Sequence, residues 1–179
     1  MLPNVPNVLM IGSDARKAGK TTLITKIIEK FSSAYPVFAV KVALYDDISV
    51  FHEHYPEASS KEIFEISEEA PGDKDSGKYF QAGAKKSMFI AAMHSQIPNI
   101  LNKFVQLLME GGLMIVESTT LRKYMVPGIF LMVYGENSEM KSSAESVKSL
   151  SDWDIQTGSE EFSNIEQYLC VEQDYWVFC

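Results

Sequence analysis

The chain has 179 residues, 46% apolar and 22% charged, which suits a single domain over residues 1–179 with a sizeable core. Its formal net charge of −8 argues against an extended nucleic-acid surface, which needs clustered Lys and Arg. No apolar run approaches the roughly 18 residues of a membrane span, and Met1-Leu2-Pro3-Asn4 lacks the pattern of a signal peptide. Cys170 and Cys179 form neither a disulfide framework nor a metal-ligand spacing, so the expected setting is the reducing cytoplasm.

The first predicted element is a strand over the run Asn7-Val8-Leu9-Met10-Ile11, and the second is an amphipathic helix carrying Leu23, Ile24, Ile27, Ile28 and Phe31. Between them lies Gly19-Lys20-Thr21-Thr22. Strand, tight loop and helix in that order turn a G-K-T tripeptide into a phosphate cradle, because loop amides and the helix dipole converge on one spot. Arg16, Lys17, Ala18, Gly19, Lys20, Thr21 and Thr22 are therefore the candidate nucleotide-binding residues. Lys20 is expected to reach the β- and γ-phosphates, and the Thr21 hydroxyl to hold Mg²⁺. The usual glycine five residues before Gly19 is replaced by Asp14. A carboxylate there must turn away, cap a backbone N–H, or pair with Arg16 or Lys17.

Pro36 marks a turn, and residues 37–44 read as a second buried strand. Residues 45–77 form an inserted, loop-rich segment with one short run, Ile63 to Ile66, that suits an edge strand. Within it, His52-Glu53-His54 has the alternation of a metal pair in extended chain, but two ligands without a third make a solvated loop the better reading. Then follow a helix over 76–84, a strand over 87–91, and a helix over 98–110 that Gly111-Gly112 terminates. Asp75 and Ser76 have the residue types that cap the first of these helices, and Gly83 permits close packing.

Leu113-Met114-Ile115-Val116-Glu117 is an apolar strand closing on a carboxylate, the pattern of a Walker B strand. Glu117 is thus expected beside the metal or orienting the attacking water, which makes Lys20 and Glu117 the candidate catalytic pair. Thr21, Asp46 and Glu117 make up the candidate metal set. Pro127-Gly128 opens another strand over 129–134. Helices are predicted over 141–150 and 162–169, and Tyr175-Trp176-Val177-Phe178 reads as a closing edge strand whose aromatics seal the core. Alternating strands and helices indicate an α/β, three-layer P-loop NTPase fold, with a mostly parallel sheet and helices on both faces.

Four blocks resemble the MobB family of nucleotide-binding accessory proteins in molybdopterin guanine dinucleotide synthesis. They are Ala18-Gly19-Lys20-Thr21-Thr22-Leu23, Lys41 with Asp46, Lys74-Asp75-Ser76 followed by Ala82-Gly83-Ala84-Lys85-Lys86, and Ile115-Val116-Glu117. The chain departs from the family at Val42-Ala43-Leu44-Tyr45, where histidines are usual, and at Ser118-Thr119-Thr120-Leu121-Arg122 after the Walker B end. The resemblance implies GTP rather than ATP, a molybdenum cofactor biosynthesis enzyme as partner, and a homodimer. It also places Asp75 and Ser76 near the phosphates. No guanine signature is apparent after Tyr134, and only Arg16 or Arg122 stands as a possible arginine finger, so slow hydrolysis is expected. A small-molecule kinase using the 45–77 insert as acceptor pocket, or a nucleotide-switched binding module, are the alternatives.

Overall fold

The computed structural model describes residues 2–136 and 139–179; Met1, part of the stretch read for a leader, lies outside them. In chain order the elements are β1 (Asn4–Ser13), α1 (Lys20–Phe31), β2 (Val37–Tyr45), α2 (Ile48–His54), β3 (Ile63–Glu68) and α3 (Asp75–Gln81). Next come β4 (Lys86–Met93), α4 (Ile97–Leu108), β5 (Leu113–Glu117) and β6 (Val126–Tyr134). The tail holds α5 (Ser142–Glu145), β7 (Trp153–Gln156), α6 (Glu160–Ser163), β8 (Leu169–Glu172) and β9 (Tyr175–Phe178). Seven strands form one sheet in the order β3-β4-β2-β5-β1-β6-β7. Every pairing in it is parallel except that of β3, which runs antiparallel along β4.

Central strands buried on both faces carry continuous apolar runs rather than alternating ones, and β1 is an example. Its Leu9 and Ile11 pack with Leu23, Ile24, Ile27 and Ile28 of α1, whereas Val8 and Met10 pack with Ile100 and Phe104 of α4. The chain is thus a three-layer α/β structure with a mostly parallel sheet. Among the described residues, no helix is long and apolar enough to cross a membrane.

Register sets the functional geometry. Ile11 pairs with Glu117, Glu117 with Lys41, Lys41 with Phe89, and Phe89 with Ile66, making one row across five strands. Residues paired in this way share a face of the sheet. The acid that closes β5 therefore stands beside a lysine of β2, with apolar rings farther out.

Several expected elements take other forms. The 45–77 insert keeps its expected edge strand as β3, but it is also ordered by α2 and by the start of α3, because Phe51 and Ala58 are buried with Ala91 of β4. His52 and His54 lie on α2 rather than in extended chain; they contact the Lys61 and Val50 carbonyls respectively. The helix expected over 141–150 shrinks to α5 and a 3-10 turn over Lys148–Leu150, and that expected over 162–169 to α6 and a turn over Ile165–Gln167. Strand β7, unpredicted, pairs with β6. Strand β9 closes a separate hairpin with β8 rather than the main sheet. Trp176 does seal the core: it is 2% exposed, and its Nε1 donates to the Met114 carbonyl at 3.2 Å. Cys170 and Cys179 are joined by a disulfide across the end of the hairpin, contrary to the expectation of two unpaired thiols.

Candidate functional site

Lys20 opens α1, and Gly19 before it adopts a left-handed backbone at φ 81°. A side chain at Gly19 would be strained in that conformation, and its Cβ would approach the Phe162 ring to 2.8 Å. The loop is also tied to the tail, since the Thr157 hydroxyl donates to the Ala18 carbonyl at 2.8 Å. Leu23 is the first residue here whose N–H closes onto the backbone within the turn, at Gly19 O (3.2 Å). Earlier amides of an α-helix have no intrahelical acceptor and present positive partial charge to whatever lies in front.

Asp14, where a glycine was expected, is 4% exposed, and its Oδ1 accepts the Gly135 N–H at 3.0 Å. Its carboxylate thus caps a backbone N–H. Ser13, one residue earlier, accepts Lys20 Nζ on its hydroxyl at 2.7 Å, and its N–H donates to the Thr119 hydroxyl at 2.9 Å.

Behind the loop lies a polar centre. Glu117, 5% exposed, has Lys20 Nζ at 3.6 Å from one oxygen and Lys41 Nζ at 3.3 Å from the other. That second oxygen also accepts the Tyr79 hydroxyl at 2.5 Å. Asp75 accepts the Thr21 hydroxyl at 2.8 Å on Oδ1, and Lys41 is ion-paired to its Oδ2. Burial alone would lower the Lys41 pKa, but the Glu117 charge and the Asp75 hydrogen bond and charge outweigh it and leave it raised. Asp75 mirrors this: burial pushes its carboxyl up, yet its bonds to Lys41 and Thr21 bring it below the ordinary value. Burial, then the Glu117 charge, raises the Tyr79 phenol well above its ordinary value.

Ser13, Lys20, Thr21, Lys41, Asp75 and Glu117 line a cleft of about 650 Å³ at the carboxyl ends of β1, β2 and β5. Among the described residues, Arg16, Lys17, Lys20, Lys41 and Lys141 face it, against the carboxylates of Asp75 and Glu117. In a chain of net charge −8 this is a local reversal of sign. Burial first, then the nearby charges of Lys20 and Arg16, depress the Lys141 pKa. Cations crowded so closely favour an anion among them. Their fit to a polyphosphate rests on that excess. The hydroxyl of Thr21 with the Asp75 and Glu117 carboxylates is an oxygen-only donor set of the kind a hard divalent cation takes.

Most residues expected at a phosphate site come together: Arg16 through Thr21 and Glu117 all line the cleft, whereas Thr22 is exposed outside its lining. Asp46 is not brought there. It lies in the turn before α2, 89% exposed at its side chain and 2.8 Å from His94 Nδ1. Asp75 is the aspartate that stands beside Thr21 in the cleft. Asp75 and Ser76 do not cap α3: its N-cap is Lys74, without a side-chain cap, and the Ser76 hydroxyl donates to Glu68. Arg122 also points elsewhere, donating to the Met125 carbonyl at 3.1 Å. Tyr79 went unnoticed in the sequence, although its spacing of four from Asp75 puts both on one helix face. Among the described residues, no group of three or more His, Cys, Asp or Glu has metal-binding proximity. Comparison of the chain with protein-family models, with curated proteins and with solved structures gave no match.

Proposed function

We propose that this chain is a P-loop protein that binds a nucleoside triphosphate with Mg²⁺ in the cleft at the start of α1. One observation carries the reading: Lys20, Thr21, Lys41, Asp75 and Glu117, from four different elements, converge beneath a helix N-terminus where cationic side chains outnumber carboxylates. Lys20 and Lys41 neutralise phosphate charge, with Arg16 and Lys17 at the rim. Thr21, Asp75 and Glu117 are the residues to hold the metal, directly or through water. Bound Mg²⁺ would draw electron density from the phosphate oxygens and so ease phosphoryl transfer. Tyr79 acts through Glu117, fixing its carboxylate by one hydrogen bond.

Hydrolysis by the isolated chain is slow, below about 1 s⁻¹, since Arg122 is engaged elsewhere and Arg16 is the remaining candidate finger. GTP as the nucleotide, a homodimer and a role in molybdenum cofactor assembly follow from the resemblance to MobB proteins. A second reading, transfer of the γ-phosphoryl group to a small molecule, is favoured by the aromatic cleft that adjoins Lys41 and Asp75.

Fluorescent GTP and ATP analogues titrated with and without Mg²⁺ test the reading. Saturable, Mg²⁺-dependent binding that Lys20→Ala removes, with the circular dichroism spectrum unchanged, is the expected result. Equal binding by the parent chain and Lys20→Ala overturns it, and preference for ATP of about tenfold, or 1.4 kcal/mol, overturns the choice of GTP.

A further inference from the structure

The row that places Glu117 beside Lys41 continues to Phe89 and Ile66, so the polar centre gives way to an aromatic strip on the same face. Phe64, opposite Ala91, extends the strip along the edge strand. Tyr55, just after α2, lies over Phe64 with ring centroids 4.8 Å apart and planes 22° from parallel. All four of these side chains are only half-buried. They line a cleft of about 470 Å³ whose wall, at Lys41 and Asp75, is also the wall of the phosphate cleft. Tyr45 and Tyr55, with hydroxyl oxygens 3.3 Å apart, bridge the two from the other side.

Volume, surface and charge together define the occupant. The volume is that of a small-molecule site rather than a peptide groove. Aromatic rings and aliphatic surface lining one half-open cleft favour a planar ring as its occupant. The rim sets Lys41 and Lys74 against Glu57, Asp73 and Asp75, so it lacks the cationic excess that selects anions next door. We propose that this second cleft binds an uncharged, flat heteroaromatic compound carrying hydroxyl or amide groups, held beside the nucleotide site as a second ligand. Its significance as a partner of the nucleotide rests on the phosphate-site reading; the ring binding itself does not.

The test is saturation-transfer NMR on the full chain without nucleotide, using riboflavin, pyridoxine and nicotinamide as probes and glycerol as a non-aromatic control. At least one ring probe is expected to show saturable binding, and glycerol none. Phe64→Leu keeps apolar volume but removes an aromatic wall of the cleft and the ring on which Tyr55 rests, and it should weaken that binding about tenfold. Lys20→Ala should leave it unchanged, which separates this site from the phosphate cleft. If Phe64→Leu fails to fold, Phe89→Leu provides the same readout. The proposal is overturned if no ring probe binds at millimolar concentration, or if the folded variants bind it as well as the parent chain.

Discussion

Tyr79→Phe removes a single phenol hydroxyl at the heart of the site. The ring is 1% exposed and belongs to the core beside α1, so the substitution leaves packing in place and deletes only the hydroxyl. That hydroxyl donates to Glu117 at 2.5 Å. Hydrogen bonds to charged groups contribute about 1.5–3 kcal/mol. Glu117 retains Lys20 at 3.6 Å and Lys41 at 3.3 Å, so it is not left without partners. The lower part of the range applies, about 1.5–2 kcal/mol. In a domain of this length each kcal/mol moves Tm by about 2–4 °C, giving a fall of about 3–8 °C. Differential scanning calorimetry at neutral pH measures it, with Tyr168→Phe as the control because Tyr168 is 40% exposed. A shift under about 1 °C for Tyr79→Phe would refute the claim that this bond positions the Glu117 carboxylate.

Exchange of Asp46 for Asp75 in the metal set predicts opposite outcomes for two variants. Asp46→Ala should leave Mg²⁺-dependent nucleotide binding intact, whereas Asp75→Asn should weaken its Mg²⁺ dependence about tenfold or more by isothermal titration. Stability should also follow pH in a defined way. Asp75, lowered in the fold, contributes stability that is present above its ordinary value of 3.8 and lost as pH falls through its folded value. Lys41 and Tyr79, both raised, contribute stability that is present below their ordinary values of 10.5 and 10.0 and lost as pH rises through their folded ones. Thermal melts across pH should therefore show a mid-range plateau falling at both ends. Asp75→Asn should flatten the acid limb, and an unaltered acid limb in that variant would remove Asp75 from the account.

Local patterning was enough to locate β1, α1, β2, α4, β5 and β6. Each is long or strongly periodic, and the glycines at the ends of α1 and α4 mark boundaries within a residue or two of where the chain turns. That the loop before α1 and the carboxylate closing β5 meet at one sheet edge was legible for the same reason: their places follow from the strand and helix that flank them. Other features depend on contacts distant in sequence. Segment 45–77 lacks periodicity of its own, and its α2 is ordered by Phe51 packing on β4. Strand β7 is four residues long and is defined by its neighbour β6, and neither cysteine carries a sign of the hairpin that joins them.

Asp46 entered the expected metal set as the aspartate that follows the second strand, as the resemblance implies. The fold instead returns the chain through β3, so that α3 begins against α1 and Asp75 meets Thr21, 54 residues away in sequence. Strand register then decides what stands next to what, setting Glu117 by Lys41 and Lys41 by Phe89. Periodicity says which residues are buried and which elements they form. Which charges share a cleft is set by strand order and register, and these come from packing the whole sheet between its helices.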